Sequence, residues 1–141
     1  MNDALRQLYQ DVIVDHHKSP RNYGPLAGAT EETTLANPLC GDEVTLRLQL
    51  EGDRIAALRF ESRGCVLSRA AASLMTEAVE GKSLDDALSI GRDLEIFVSA
   101  PPVPGAAERL GPLTALEGVR DFPSRIGCVT LAWQALARVR Q

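Results

Sequence analysis

Residues 43–61 read Glu43-Val44-Thr45-Leu46-Arg47-Leu48-Gln49-Leu50-Glu51-Gly52-Asp53-Arg54-Ile55-Ala56-Ala57-Leu58-Arg59-Phe60-Glu61. In the first half, apolar residues alternate with polar ones, which is typical of a strand with one buried face. The triplet Glu51-Gly52-Asp53 predicts a tight turn. Ile55 to Glu61 then returns as a second strand, with Ala56, Leu58 and Phe60 on one face. The sequence therefore predicts a β-hairpin here.

Upstream of the hairpin, the pattern changes to that of a helix. One apolar stripe with an imidazole at its end is formed by Leu5, Leu8, Tyr9, Val12, Ile13 and His16. Asn2 or Asp3 can cap this helix, and the Pro-rich segment after Ser19 ends it. For His16 and His17 we expect capping or partner contact rather than metal ligation. A short strand is predicted at Thr33 to Ala36.

Downstream of the hairpin, the chain is predicted to be mainly helical. One helix runs from about Val66 to Glu80 with Gly81 after its end, and its apolar side comprises Leu67, Ala71, Leu74, Met75 and Ala78. Ser83 opens a second, short helix. After a Pro-rich break at residues 100–105, residues 110–119 predict short helical turns. The last helix starts near Pro123, with a buried stripe of Ile126, Val129, Thr130, Trp133, Leu136 and Ala137.

The order of helix, sheet and then helices predicts an α+β fold, in which a small antiparallel sheet packs against helices. The length of 141 residues suits a single domain over residues 1–141. The net charge of −4 argues against a nucleic-acid surface. We find no secretory signal and no apolar run of the roughly 20 residues that cross a membrane. We therefore expect a cytoplasmic protein with reduced thiols.

The three cysteines are the residues most suggestive of chemistry. Each has a glycine neighbour, as Cys40-Gly41, Gly64-Cys65 and Gly127-Cys128. Cys65 and Cys128 also lie near predicted helix starts, where unpaired N–H groups favour the thiolate that binds metal. Cys40 lies in a loop. Any one cysteine alone is equally well interpreted as a small buried hydrophobe.

Asp42 completes a possible ligand set because it follows Cys40 by two residues. Three thiols and a carboxylate suit tetrahedral zinc, or an incomplete cradle for an iron–sulfur cluster. The alternative for Asp42 is a turn residue before a strand. Arg125 lies three residues before Cys128 and either supports thiolate charge, contacts a partner, or is a solvated cation of the first helical turn.

Several motifs together resemble the iron–sulfur cluster assembly scaffold family, which comprises the IscU and SufU proteins and the N-terminal domain of NifU. The resemblance spans nearly the whole chain. Its motifs are the segment from Leu8 to Asn22, Asn37-Pro38-Leu39-Cys40-Gly41-Asp42, the run from Phe60 to Cys65, Ser68 to Thr76, and Arg125 to Trp133.

The chain differs from the IscU branch in two features, and in both it resembles the SufU branch. A histidine directly precedes the third cysteine in the IscU branch, where this chain has Gly127. The IscU branch also carries a Leu-Pro-Pro-Val-Lys chaperone tag there, where this chain has Phe122-Pro123-Ser124-Arg125-Ile126. Pro101-Pro102-Val103 imitates that tag far upstream.

The resemblance implies a zinc-dependent sulfur acceptor that takes persulfide sulfur from a SufS-type cysteine desulfurase and works with other iron–sulfur assembly proteins. It implies Cys40, Asp42, Cys65 and Cys128 as zinc ligands, and Cys40 as the sulfur acceptor. Such a protein is a sulfurtransferase-like accessory rather than a stand-alone enzyme. One alternative is a scaffold that holds a [2Fe-2S] cluster on Cys40, Cys65 and Cys128. Another is a purely structural zinc domain.

Overall fold

The structure, a computed structural model, describes residues 3–38, 41–100 and 104–139, with side chains from residue 10 onward. The α+β prediction is confirmed. The helices are α1 (Asp3–Lys18), α2 (Val66–Val79), α3 (Leu84–Ser99), α4 (Ala106–Leu110) and α5 (Ile126–Ala137), and the strands are β1 (Glu31–Asn37), β2 (Asp42–Glu51) and β3 (Arg54–Arg63). Two 3₁₀ segments cover Gly111–Asp121 and Pro123–Arg125. None of the described helices is long and apolar enough to cross a membrane.

The three strands form one antiparallel sheet in the order β1-β2-β3, which confirms the predicted hairpin. Its inner face is fully buried and includes Val44, Leu46 and Leu48. A register shift opposite Gln49 and Leu50 interrupts the ladder. A bulge of this kind changes which face a side chain occupies. Ile55 is therefore buried while Ala56 is only half-buried, so the predicted inward position of Ala56 is wrong.

The outer edge of β3 is covered by the segment that follows α1. The Gly24 N–H donates to the carbonyl of Phe60, and the Phe60 N–H donates to the carbonyl of Asn22, each over 2.9 Å. The rings of Tyr23 and Phe60 meet edge to face, with centroids 5.1 Å apart. These contacts satisfy backbone groups that an open sheet edge would expose. At the opposite edge, β1 is longer than the predicted strand at Thr33 to Ala36.

Helix α2 is the central helix of the fold, because it packs against α1, α5 and β3. It ends at Val79, one residue before the predicted end, and Gly81 follows with φ +85°. The sequence predicted that only one apolar side of α2 is buried, but the buried surface of this helix is larger. Nine of its residues are buried, among them Ser68, Ser73 and Thr76. Small residues allow three neighbouring elements to approach the helix closely.

The C-terminal half differs from the prediction mainly in its helix boundaries. The Ser83 Oγ accepts a hydrogen bond from the Asp86 N–H over 3.0 Å and caps α3. This helix runs for 16 residues, so the expectation of a short helix is wrong. Pro123 begins a 3₁₀ turn, and α5 starts three residues later. Along α5 the predicted stripe is buried at Val129, Thr130, Trp133 and Leu136, whereas Ile126 is half-buried and Ala137 is exposed.

Trp133 lies in the core, as predicted, and packs against α3 at Gly91. A methyl group added to Gly91 would approach Trp133 Cε3 to 2.8 Å. We therefore expect Gly91→Ala to destabilise the fold by about 1–3 kcal/mol, the usual cost of overpacking a core. Trp133 is the sole tryptophan, so its fluorescence during urea unfolding measures this change. Gly118→Ala is the matched control because a methyl group there meets no atom within 4 Å. Equal stability of the two variants would contradict the expectation.

His16 anchors the end of α1 to α2. It is 6% exposed, its Nδ1 lies 2.7 Å from Ser73 Oγ, and its Nε2 lies 3.5 Å from Glu77 Oε1. The Arg21 N–H donates to the same Ser73 oxygen over 2.8 Å, so the serine proton is available to a neutral His16 ring. The expected role of this residue in capping or partner contact is therefore wrong, because its ring is part of a buried hydrogen-bond network.

Burial lowers the pKa of His16 below 6.5. Repulsion from Arg21 lowers it further, while Glu77 and Asp15 oppose the shift. A lowered pKa means that the unfolded chain binds this proton more readily. We expect the stabilisation from His16 to be complete above pH 6.5 and to be lost as the pH falls through the native pKa. For one proton, the free energy of unfolding cannot change by more than about 1.4 kcal/mol per pH unit.

Urea unfolding of the zinc-free protein and of His16→Asn, from pH 7.5 downward, measures this effect. The difference in unfolding free energy between the two proteins should shrink as the pH falls. A difference that is independent of pH would contradict the assignment.

Candidate metal centre

Three side chains from distant parts of the sequence meet at one end of the sheet. Asp42 is the first residue of β2, Cys65 immediately precedes α2, and Cys128 is the third residue of α5. One ligand atom from each lies within 4.8 Å of the other two. Asp42 and Cys128 are buried, with 0% and 1% exposure, and Cys65 is half-buried. Among the described residues this is the one group of three or more His, Cys, Asp or Glu side chains with metal-site spacing.

The strand pairing explains the position of Asp42. Glu43 lies opposite Arg63 in the ladder, so Asp42 faces the residue at which the chain leaves β3. That residue is Gly64, with φ +128°. A Cβ atom on Gly64 would lie 2.0 Å from Asp42 Oδ1 and 2.9 Å from Asp42 Cα. The glycine therefore provides both an unusual backbone angle and the space that the carboxylate occupies.

Hydrogen bonds fix the carboxylate relative to the start of α2. The Cys65 N–H donates to Asp42 Oδ1 over 2.8 Å, and the Cys65 Sγ lies 3.4 Å from Asp42 Oδ2. The Ser68 N–H in turn donates to the Cys65 Sγ over 3.4 Å, so the cysteine sulfur acts as the N-cap of α2. An unpaired N–H at a helix start stabilises negative charge on such an acceptor. One oxygen of Asp42 is thus held by the backbone while the other faces the sulfur.

This donor set fits zinc. Tetrahedral zinc with a thiolate and a carboxylate ligand separates the sulfur from the oxygen by about 3.6 Å. The Cys65 sulfur and Asp42 Oδ2 are 3.4 Å apart, which is close to this separation. The centre is also largely buried, and metal-binding thiols are deprotonated, so an ion would offset the repulsion between two thiolates and the Asp42 carboxylate. Asp42, Cys65 and Cys128 can therefore supply three of four tetrahedral positions.

The described structure does not test the roles of two other residues predicted for the site. Cys40 lies outside the described residues. Its neighbour Gly41 has φ +71° and donates its N–H to the carbonyl of Asn37 over 2.9 Å. Arg125 is exposed at the start of α5, and its backbone N–H donates to the carbonyl of Phe122 over 2.8 Å. The role of Arg125 stays a prediction.

Three contacts at the centre were not identified from the sequence. Gly64 makes room for the Asp42 carboxylate, the Ser68 N–H bonds the Cys65 sulfur, and Asn37 lies against Gly127. Gly64 was noted from the sequence as the neighbour of Cys65, but the space that it leaves for Asp42 was not predicted. The contact between Asn37 and Gly127 has no local signal, because 90 residues separate the two positions.

Comparisons with known proteins agree with this geometry. The chain is 40% identical over 137 residues to the zinc-dependent sulfurtransferase SufU of Bacillus subtilis, covering 97% of this chain and 92% of that protein. It is 42% identical over 132 residues to the iron–sulfur cluster assembly scaffold protein IscU of Streptococcus pyogenes, covering 94% and 82%. The crystal structure of a nitrogen-fixing NifU-like N-terminal domain from Brucella abortus superposes with a TM-score of 0.80, at 25% identity and with coverage of 96% and 93%. Residues 8–129 match the NifU-like N terminal domain, so the chain belongs to this family of iron–sulfur cluster assembly proteins.

Proposed function

We propose that this protein is a zinc-dependent sulfur acceptor that takes persulfide sulfur from a SufS-type cysteine desulfurase for iron–sulfur cluster assembly. The observation that carries the proposal is the convergence of Asp42, Cys65 and Cys128 within 4.8 Å. The similarity to a zinc-dependent sulfurtransferase along nearly the full chain supports it. Reduced thiols and a desulfurase partner require a reducing compartment, which we infer to be the cytoplasm.

The four ligands have different tasks in this proposal. Asp42, Cys65 and Cys128 are fixed by β2, α2 and α5, so they would hold zinc throughout. Cys40 would be the fourth ligand and also the group that accepts sulfur. Zinc, when bound, keeps the thiols deprotonated and has no redox chemistry of its own.

Sulfur transfer would follow ordinary thiol exchange. The Cys40 thiolate attacks the terminal sulfur of the desulfurase persulfide, and a sulfur–sulfur bond forms on Cys40 as the donor's own sulfur–sulfur bond breaks. The donor cysteine leaves as a thiolate. The transferred sulfur keeps its own proton or negative charge when it moves to Cys40. The exchange therefore needs no external oxidant or reductant. Arg125 is exposed at this end of α5, where its cation would face an incoming partner.

A second candidate is a scaffold that assembles a [2Fe-2S] cluster on Cys40, Cys65 and Cys128. The three thiols and the similarity to IscU of Streptococcus pyogenes favour it. Gly127 weighs against it, because the helix start next to Cys128 presents no imidazole. A third possibility is a structural zinc domain, in which sulfur never reaches Cys40.

Incubation with a cysteine desulfurase and cysteine, followed by metal analysis and mass spectrometry, separates these functions. We expect one zinc per chain, a mass increase of one sulfur atom on Cys40, and faster cysteine turnover by the desulfurase. Cys40→Ser is the matched variant, which should abolish the added sulfur. A visible cluster chromophore after anaerobic reconstitution would favour the scaffold. Bound zinc without sulfur on Cys40 would overturn the proposal in favour of a structural domain.

A further inference from the structure

Tyr23 and Arg69 are in contact beside the turn that carries Cys65. The guanidinium carbon of Arg69 lies 4.6 Å from the centre of the Tyr23 ring. Arg69 is half-buried, and its Nε is buried without a hydrogen-bond partner among the described residues. No carboxylate in the described part of the chain forms an ion pair with this guanidinium. The aromatic face is therefore the main group that holds the cation in place.

The same ring is attached to the strand that leads to Cys65. Tyr23 packs edge to face on Phe60, and its backbone forms a bridge with that residue. Its hydroxyl lies 3.5 Å from both the N and the O of the Ser62 backbone, which is too long for a strong hydrogen bond. The aromatic ring, and not the hydroxyl, is thus the main contact of Tyr23 with the end of β3.

The groups that Tyr23 contacts lie on both sides of Cys65 along the chain. Ser62 is three residues before the cysteine, and Arg69 is four residues after it. A separation of four residues places Arg69 one turn further along the helix, and its N–H donates to the Cys65 carbonyl over 3.3 Å. Between β3 and α2 the chain turns at Gly64, whose φ is +128°. A ring that is fixed to both elements limits how far this turn can open.

We propose that the Tyr23 ring positions Cys65, because it holds Arg69 at the start of α2 against the end of β3. Tyr23 is a positioning residue and not a catalytic one, since it acts through these two elements. The consequence for zinc rests on the proposed function. An ion binds the arrangement in which Cys65 faces Asp42, so the apparent affinity depends on the fraction of the zinc-free protein that has this arrangement. The segment after α1 thereby contributes to the centre although Tyr23 is not a ligand.

Alkylation of the zinc-free protein, followed by peptide mass spectrometry, tests this inference. The rates of Cys65 and Cys128 are compared in the wild type and in Tyr23→Leu, which keeps an apolar side chain on Phe60 but removes the aromatic face. We expect Cys65 to react about three to ten times faster in Tyr23→Leu, the factor that corresponds to loss of one cation–π contact. Cys128 should keep its rate, whereas a general loosening of the fold would accelerate both thiols.

The zinc-bound protein supplies a second measurement. The dissociation constant for zinc should rise in Tyr23→Leu by the same factor as the rate of Cys65 alkylation, because both report the same loss of the competent arrangement. The absorption spectrum of the Co²⁺ form should keep the wild-type ligand set, because Tyr23 supplies none of the ligands.

Three further variants serve as controls. Tyr23→Phe keeps the ring and should behave as the wild type. Arg69→Met should reproduce Tyr23→Leu, and the double variant should be no worse than either, because both changes remove one contact. Arg120→Met removes the cation–π contact with Phe97, which joins two elements without ligands. This variant should leave the ratio of the two thiol rates unchanged.

Equal acceleration of Cys65 and Cys128 would overturn the inference, as would an unchanged Cys65 rate in both Tyr23→Leu and Arg69→Met. Additive effects of these two substitutions, or a Tyr23→Phe variant as reactive as Tyr23→Leu, would also overturn it. Arg69 is not part of the buried core, so Arg69→Met keeps the test available if Tyr23→Leu does not fold. Failure of the wild type to bind zinc would instead contradict the proposed function and leave the alkylation result intact.

Discussion

Asp42→Asn is expected to lower zinc affinity by more than about 100-fold, which exceeds the usual loss for residues that merely orient a ligand. The asparagine oxygen can still accept the Cys65 N–H that Asp42 Oδ1 accepts over 2.8 Å. The neutral amide nitrogen that replaces Oδ2 cannot bind the ion. Because the Oδ1 acceptor is kept, the change should cost the zinc-free fold much less than it costs zinc binding. Competition with a chromophoric chelator measures the affinity, and urea unfolding in EDTA measures the stability.

Asp53→Asn is the matched control for this experiment. Asp53 is exposed in the turn between β2 and β3, so the same chemical change there should leave zinc affinity unchanged. Retention of zinc by Asp42→Asn at the wild-type affinity would remove Asp42 from the ligand set. A large loss of zinc-free stability would instead indicate that the carboxylate mainly supports the fold.

Gly64→Ala is expected to disrupt the centre and the fold together. The added methyl would lie 2.0 Å from Asp42 Oδ1, and φ +128° is strained for any residue with a Cβ atom. Backbone strain of about 1–3 kcal/mol and overpacking of about 1–3 kcal/mol both apply, so we expect a destabilisation of about 3 kcal/mol or more. Zinc affinity should fall as well, because the carboxylate must leave its position. Thermal unfolding with and without zinc measures both effects.

Gly81→Ala separates the two causes. Gly81 also has a left-handed φ, of +85°, but a methyl group there meets no atom within 4 Å. This variant should therefore lose stability through backbone strain and keep its zinc affinity. If Gly64→Ala and Gly81→Ala retain zinc equally, the close packing of Gly64 on Asp42 is not needed for the centre.

The sequence predicted those parts of the fold that are determined by residues close together in the chain. Alternation from Val44 to Leu50 and the Glu51-Gly52-Asp53 turn were sufficient for the hairpin, and Ser83 marked the start of α3. The inward position of Ala56 was wrong because a bulge shifts the register, and no residue type identifies that bulge. The single apolar side expected for α2 was too narrow, because small residues such as Ala70 and Ser73 are buried only when other elements pack around them.

The sequence was sufficient to predict which residues belong to the centre, but not how they are arranged in space. The glycine neighbours of the cysteines and the helix starts near Cys65 and Cys128 indicated metal-binding thiols. The spacing gave no reason for these thiols to meet, since that depends on α2 packing against α5. The glycines next to the cysteines were noted, but the side chains that pack against Gly64 and Gly127, which are Asp42 and Asn37, could not be predicted from the sequence.

The wide separation of the ligands along the chain also governs when an ion can be captured during synthesis. Asp42 and Cys65 leave the ribosome early, whereas Cys128 follows Cys65 by 63 residues. At an elongation rate of about 5–20 residues per second, this is a delay of about 3–13 s. The nascent polypeptide spends that time without the sulfur on α5, so these three side chains can hold an ion together only after Cys128 has been made. Full affinity for the ion therefore requires that α5 has been synthesised and packed against the rest of the fold.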